Sequence, residues 1–200
     1  MKKILFILMI VLLSFAVMAV EDVNEVQFTN DDDLKDALDE FEDDFDDGLS
    51  DAWEIVQGNP IVVNGMLSTD QNTWLMVGDP SWKNYSIESN LMFNLHKQAG
   101  FVIRSNGHHR YYAALFSGGN QVSIIFRKNQ DENILAKEEF KYEQDHLYNV
   151  KFRASENELT LFINGKKILS TRDNSYSCGA AGYRVDAGTM LVENYIIRSC

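Results

Sequence analysis

Apolar side chains recur at every second position between residues 148 and 169, and this alternation constrains the fold more than any other feature of the chain. They are Val150, Phe152, Leu159, Leu161 and Ile163. A period of two is typical of half-buried β-strands. The dipeptide Asn164-Gly165 then predicts a type I′ hairpin turn, because both residues tolerate a positive φ angle. The stretch therefore predicts three consecutive antiparallel strands.

The rest of the chain repeats this plan, with short apolar runs separated by turn residues. The turn dipeptides are Asn64-Gly65, Asn106-Gly107, Gly118-Gly119 and Ala187-Gly188. Many short strands at close spacing predict an antiparallel sandwich or barrel. With 200 residues, 45% of them hydrophobic, the chain can bury one full core. We therefore expect a single all-β domain over residues 41–200.

The N-terminus has the pattern of an export signal. Lys2 and Lys3 precede a short apolar run, and small residues end it, so residues 1–19 predict a signal peptide cut after Ala19. A membrane anchor is the alternative, but the run is shorter than the roughly 20 residues that a spanning helix needs. Residues 20–40 form an acidic lead, either a short amphipathic helix or a flexible segment. We expect an extracytoplasmic protein, in the periplasm or cell envelope or secreted, with no membrane insertion after cleavage.

The chain is strongly acidic, which bears on its partners. Its formal charge is −12, and loss of Lys2 and Lys3 with the signal makes it −14. Such a surface repels phosphate backbones, so nucleic acid is excluded as a partner. Four aspartates, Asp43, Asp44, Asp46 and Asp47, are candidate ligands for a structural calcium ion; the alternative is a solvated acidic loop.

The two cysteines, Cys178 and Cys200, both lie in the exported part of the chain. Export favours a disulfide between them. A free catalytic thiol is the alternative, but no histidine is close in sequence to either cysteine.

The order of several segments resembles the concanavalin A-like (laminin G-like) jelly rolls, in the exported branch related to the 3-keto-disaccharide hydrolases. The matching segments are D-D-F-D-D-G-L-S-D-A-W, I-V-V-N-G-M-L-S, Y-S-I-E-S-N-L-M-F, G-F-V-I-R, R-Y-Y-A-A-L-F, Y-N-V-K-F-R-A, L-T-L-F-I-N-G-K-K-I-L, G-A-A-G-Y-R-V and V-E-N-Y-I-I. The resemblance implies a two-sheet antiparallel jelly-roll sandwich. It also implies a glycan or polysaccharide as the partner, either bound or hydrolysed.

Alternation within the strands predicts a ligand-binding face. If Phe101, Ile103 and Phe126 point inward, Arg104, Tyr111 and Arg127 point outward together. His109 and Trp74 are added as rim residues. Arginine and tyrosine donate hydrogen bonds to sugar hydroxyls, and tyrosine offers an apolar ring. The alternative is that the arginines pair with surplus acids.

Hydrolysis of glycosides needs two carboxylates facing one groove. A catalytic strand of this fold class reads E-x-D-x-x-E, and here Glu143 and Asp145 are followed by Tyr148 where the last acid should be. Glu88 is a further candidate without an evident partner. The sequence therefore favours an exported carbohydrate-binding, lectin-like module. The alternatives are a glycoside hydrolase acting on modified disaccharides and a structural envelope or adhesion domain.

Overall fold

A computed structural model describes residues 40–95 and 97–200, so the predicted signal peptide and nearly all of the acidic lead lie outside the described residues. The described part of the chain contains β-strands and no helix. In chain order the strands are β1 (Glu40–Asp43), β2 (Glu54–Gln57), β3 (Ile61–Val63), β4 (Met66–Thr69), β5 (Thr73–Val77), β6 (Tyr85–Leu95), β7 (Gln98–Ser105), β8 (Arg110–Ser117), β9 (Gln121–Lys128), β10 (Asp131–Glu139), β11 (Tyr148–Ser155), β12 (Glu158–Ile163), β13 (Lys166–Arg172), β14 (Ala180–Val185), β15 (Gly188–Val192) and β16 (Tyr195–Ser199). None of these residues belongs to a helix that could cross a membrane.

The strands form two antiparallel sheets. A nine-stranded sheet runs β13-β12-β11-β6-β15-β4-β3, with β16 also on β6 and β1 on β16. A seven-stranded sheet runs β10-β9-β8-β7-β14-β5-β2. The predicted all-β, two-sheet jelly-roll sandwich is therefore confirmed.

The predicted triplet of strands is β11, β12 and β13. Phe152 pairs with Leu161 and Val150 with Ile163, so the alternating apolar residues share one face. Asn164 and Gly165 have φ angles of 49° and 74°, as a type I′ turn requires. The period of two thus sets both the register and the buried face of this part of the nine-stranded sheet.

The core lies between the inner faces of the two sheets. Aromatic rings join the sheets near its centre, where Trp53 stacks on Tyr183 with ring centroids 5.7 Å apart and lies 4.8 Å from Tyr195. Each ring is buried. Tyr183 belongs to β14 and Tyr195 to β16, so this cluster holds one strand of each sheet against the other.

The seven-stranded sheet also buries residues on the face turned away from the core, which we call the outer face. A second apolar cluster there consists of Trp74, Met76, Val102, Tyr111, Ala113, Leu115 and Ile125. Residues on the solvent side of a sheet are buried only where other side chains cover them. The candidate site is built from the polar side chains that cover this cluster.

Candidate functional site

Neighbouring tyrosines on β8 point to opposite sides of the seven-stranded sheet. Tyr112 pairs with Phe126 and packs in the core, whereas Tyr111 pairs with Arg127 and belongs to the outer face. Tyr111, Arg127 and Trp74 line one cavity of about 130 Å³, which we call the polar pocket. Its remaining lining residues are Gln57, Asn72, Thr73, His108, Arg184, Val185 and Asp186.

Arg184, on β14, is the centre of the hydrogen-bond network in the polar pocket. Its Nε and Nη2 donate to the two carboxylate oxygens of Asp186, at 2.7 and 2.8 Å. Its Nη1 donates to the hydroxyl of Tyr111 and to Oε2 of Glu132, both at 2.8 Å. Bidentate pairing of this kind fixes the guanidinium plane. The hydroxyl of Tyr111 accepts from Arg184, so its own proton is available to a ligand.

Glu132, on β10, connects the two arginines of the pocket. Its carboxylate accepts from Arg184 and, at 3.2 Å, from Nη1 of Arg127. Burial alone would raise the pKa of Glu132, but the hydrogen bond and charge of Arg184 outweigh it and lower the pKa below its ordinary value. Two arginines thus pair with two acids, Glu132 and Asp186, so the formal charges of this network balance.

Trp74 and His108 form one wall of the polar pocket. Trp74 is 4% exposed, because His108 covers it with ring centroids 4.6 Å apart and Tyr111 meets it edge-on at 4.9 Å. Partial burial and the charges of His109, Arg127 and Arg184 lower the pKa of His108. His108 is therefore the accessible ring, and Trp74 supports it.

Arg104 does not lie on the outer face, and that prediction was wrong. Between β7 and β14 the register shifts: Ala180 pairs with Ser105, but Gly182 pairs with Val102. Arg104 occupies this bulge with φ at 50°, is 1% exposed, and donates to the carbonyls of Lys83 and Tyr176 and to Oδ1 of Asn84. A bulge reverses the alternation, which the strict period of two does not anticipate.

The alternation argument also missed residues that the structure brings to the pocket. His108, not His109, lines it; the His109 ring lies next to that of His108, at 4.7 Å. Arg184 was detectable in principle, because it interrupts the apolar residues of A-A-G-Y-R-V at a position that alternation sends outward. Glu132 and Asp186 follow from no local pattern, since β10 and the turn after β14 meet only in the folded sheet.

The four aspartates of the acidic loop do not converge on a metal site. Asp43 is buried, and its carboxylate accepts from the backbone N–H of Phe45 and Ser50 and from Nε1 of Trp53. Asp44 accepts from the N–H of Asp46. Within residues 40–95 and 97–200, no group of three or more His, Cys, Asp or Glu side chains could hold a metal ion. Asp43 instead organises the loop that leads to Trp53.

Both cysteine thiols are free in the structure, so the predicted disulfide is not formed there. Cys178 is half-buried and Cys200 is exposed. Although Cys200 is exposed as a residue, partial burial of its sulfur raises the pKa of the thiol, which lowers its reactivity as a nucleophile.

The carboxylates considered for hydrolysis lie elsewhere. Glu88 is on the nine-stranded sheet, where it pairs with Lys151 at 3.4 Å. Glu143 and Asp145 are exposed in the segment between β10 and β11. None of these three carboxylates lines the polar pocket.

Comparison with known proteins gives a family and a fold. The sequence model of the 3-keto-alpha-glucoside-1,2-lyase-like domain matches residues 40–192. No curated protein matches the chain.

Solved structures of similar fold include binding modules and hydrolases. Carbohydrate-binding module CBM66 from Bacillus subtilis has a TM-score of 0.68 at 17% identity, over 74% of this chain and 96% of the module. A lichenase derived from a mouse hindgut metagenome has a TM-score of 0.61 at 11% identity, over 81% and 100%. Xylan beta-1,4-xylosidase from Bacillus halodurans has 0.63 at 13%, over 79% of this chain and 39% of that protein. At these identities the likeness establishes the fold alone.

Proposed function

The chain belongs to the 3-keto-alpha-glucoside-1,2-lyase-like family, and from that membership we propose that it is an exported carbohydrate-binding protein whose polar pocket holds one neutral sugar residue. The observation that carries the proposal is the Arg184 network, in which two arginines, a tyrosine and Asp186 line one cavity and Glu132 bonds both arginines from beside it. A carbohydrate-binding module and glycoside hydrolases of the same fold support it.

The donors and acceptors of the pocket suit sugar hydroxyls. Arg127 donates from Nε to the carbonyl of Asn129 and from Nη1 to Glu132. Its Nη2 takes part in neither contact and can donate to a sugar hydroxyl. The proton of the Tyr111 hydroxyl and the imidazole of His108 add further hydrogen-bonding groups. Sugar hydroxyls both donate and accept, so a fixed array of carboxylates, guanidinium N–H groups and a phenol selects them by direction.

The size and charge of the pocket define the ligand further. A volume of 130 Å³ has room for about four waters at roughly 30 Å³ each, so the pocket takes at most one monosaccharide residue, with part of the ring outside the cavity. The two arginines are balanced by Glu132 and Asp186. An added carboxylate or sulfate would meet no unpaired cation among these residues, so a neutral sugar is preferred.

Hydrolysis by two carboxylates fits the pocket poorly. A general acid needs a raised pKa, so that it carries a proton at neutral pH. The pKa of Glu132 is lowered instead, and Arg184 holds the carboxylates of both Glu132 and Asp186. These acids orient Arg184 and do not transfer protons.

A lyase is the second candidate, and His108 is the observation that favours it. Elimination across C1 and C2 of a 3-keto glucoside requires a base to take the C2 proton, while the electron pair forms the C1–C2 double bond and the group on C1 leaves. His108 is held neutral beside two arginines by its lowered pKa. A neutral imidazole can accept this proton, and Nη2 of Arg127, which is outside the contacts to Asn129 and Glu132, would donate a hydrogen bond to the developing enolate.

One experiment separates these functions. Purified protein is tested against neutral oligosaccharides and polysaccharides and against 3-keto glucosides, with bound protein and released sugar measured in the same samples. We expect binding without release, and Tyr111→Phe should weaken it roughly 3- to 10-fold by removing one hydrogen-bonding hydroxyl.

Tyr112→Phe is the matched control, because Tyr112 lies next to Tyr111 on the opposite face and its hydroxyl bonds Asp173, which does not line the polar pocket. This variant should bind as the wild type does. Release of product from a 3-keto glucoside, abolished by His108→Ala, would establish the lyase instead. Neither binding nor release from any compound would contradict both candidates.

Export and oxidation complete the proposal. The signal-like residues 1–19 support delivery outside the cytoplasm, to the envelope or the medium. In that compartment a disulfide between Cys178 and Cys200 would form under oxidising conditions.

A further inference from the structure

A second cavity of about 680 Å³ adjoins the polar pocket on the outer face. It lies between the turn that joins β7 to β8 and the strands β2 and β5. We call it the apolar groove. Its lining residues include Val56, Trp74, Met76, Pro80, His108 and Ala180. Trp74 and His108 line both cavities, so this pair is the shared wall between them.

An irregularity in β2 serves both cavities. Ile55 pairs with Leu75, but the next paired residue, Gln57, faces Trp74, so Val56 is the extra residue of a β-bulge. Two consecutive side chains therefore reach the outer face. Val56 lines the apolar groove and Gln57 lines the polar pocket. Bulges commonly re-aim side chains next to binding sites.

The chemistry of the apolar groove differs from that of the polar pocket. Its apolar lining includes Met76, which is 8% exposed, half-buried Ala180 and Val56, which is 41% exposed. Polar and charged residues, Glu54, Ser105, Asn106 and Arg110, also line it. A second sugar residue would lose hydrogen bonds to water over such carbon surfaces, whereas a flat apolar group would gain by leaving water.

We propose that the ligand of this protein is a glycoside with a flat, apolar aglycone: the sugar occupies the polar pocket and the aglycone crosses the Trp74–His108 wall into the apolar groove. This inference rests on the proposed function, because it requires the sugar in the polar pocket. It adds the class of glycoside, an aryl glycoside rather than an oligosaccharide.

The test is calorimetric titration of the purified protein with the methyl and 4-nitrophenyl glycosides of glucose, galactose and xylose, and with maltose and cellobiose. For the sugar that binds, the 4-nitrophenyl glycoside should bind about ten-fold more tightly than the methyl glycoside, the factor for removing roughly 55 Å² of apolar surface from water. Val56→Glu should abolish this gain and leave the affinity for the methyl glycoside unchanged.

Ile55→Glu is the matched control, because Ile55 is 51% exposed on the same strand and does not line the groove. It should keep the ten-fold gain. Equal affinity for methyl and 4-nitrophenyl glycosides, an equal gain with a disaccharide, or a gain that survives Val56→Glu would each overturn the inference. In those cases methyl glycoside binding that Tyr111→Phe weakens would still support the proposed function. If no glycoside binds, the proposed function itself fails.

Discussion

At the scale of single residues, Glu132 determines whether the polar pocket keeps its charge balance as the pH falls. Its pKa is lowered from the ordinary value of 4.5, so the folded protein holds this proton less readily than the unfolded chain. The stability that ionised Glu132 contributes is therefore complete above pH 4.5 and is lost as the pH falls through the lower, folded-state pKa. The folded state depends on this carboxylate because Arg184 and Arg127 both bond to it.

Glu132→Gln tests this linkage. The variant should be less stable than the wild type at pH 7, and the difference should shrink as the pH falls below 4.5, because the wild type then loses the same charge. Urea unfolding at several pH values between 7 and 3 measures it. Glu138→Gln, an exposed position on the same strand, is the control and should have little effect at any pH. A difference that does not vary with pH would contradict the assignment.

Asp43 is the second residue whose role can be tested directly. Its carboxylate accepts three N–H donors, from Phe45, Ser50 and Trp53, and it is 8% exposed. Asp43→Ala should cost about 3 kcal/mol of unfolding free energy, because these donors lose their acceptor. Denaturant unfolding measures the loss, and Asp47→Ala, at an exposed position, should be nearly neutral.

Calcium provides a further arm of the same experiment. Because N–H groups already occupy the Asp43 carboxylate, we expect the thermal midpoint to be the same with calcium and with a chelator. If calcium raises the thermal midpoint, and raises it equally in the Asp43→Ala variant, an ion is bound by other groups of the loop.

Residue-level prediction from sequence succeeded where a strand is regular and failed where it is not. Tyr111 and Arg127 face outward as expected, because β8 and β9 pair without a shift from Arg110 to Ser117. Arg104 lies instead in the bulge of β7, where the pairing with β14 shifts after Val102. Glu132 reaches Arg184 only through a sheet that brings β10 and β14 together, and no local pattern encodes this.

At the scale of elements, two of the register shifts in the seven-stranded sheet, those in β2 and β7, interrupt the alternation of side chains between the two sides of the sheet. In β2 the bulge brings Val56 and Gln57 to the outer face. In β7 the bulge turns Arg104 away from the outer face, and its guanidinium instead bonds carbonyls of the segments around Lys83 and Tyr176. Arg104 thereby ties the start of β6 to the connection between β13 and β14.

Arg104→Ala should therefore lower stability and spare binding. Loss of the guanidinium leaves buried acceptors unpaired, at a cost of about 2 to 4 kcal/mol. The folded variant should keep the glycan affinity of the wild type. Arg127→Ala should do the reverse, with weaker binding and a smaller change in thermal midpoint. Midpoints and affinities of both variants decide the matter; weakened binding in folded Arg104→Ala would return Arg104 to the site.

At the scale of the whole molecule, the sequence predicts the architecture better than the connections within it. Alternation and turn residues predict two antiparallel sheets, because each strand must bury one face. The nine-stranded sheet depends on the length of β6, which pairs with β16 from Tyr85 to Glu88 and with β15 from Leu91 to Leu95. No local sequence pattern predicts that β15 and β16 pair with the same strand. It brings β16, and with it Cys200, beside the start of β6.

The placement of Cys200 makes the disulfide a prediction about the exported molecule. The Cys200 N–H donates to the carbonyl of Asn84, whose side chain accepts from Arg104, and the Asn106 side chain donates to the carbonyls of both Arg104 and Cys178. Both cysteines thus lie around Arg104: burial lowers the pKa of its guanidinium, and Cys178 and Cys200 partly offset this effect. Closing the loop from Cys178 to Cys200 should stabilise the fold by about 3 kcal/mol, chiefly by restricting the unfolded chain.

A single preparation of the protein tests both the predicted export and the predicted disulfide. Protein recovered from outside the cytoplasm should begin at Val20 by intact mass and should resist thiol alkylation until it is reduced. Cys178→Ser, Cys200→Ser and the double variant should lower the thermal midpoint equally, and reductant should lower only that of the wild type, because all four conditions remove the same bond. Free thiols in the exported protein would contradict the disulfide between Cys178 and Cys200. The stability of the sandwich would then come from its core without a crosslink.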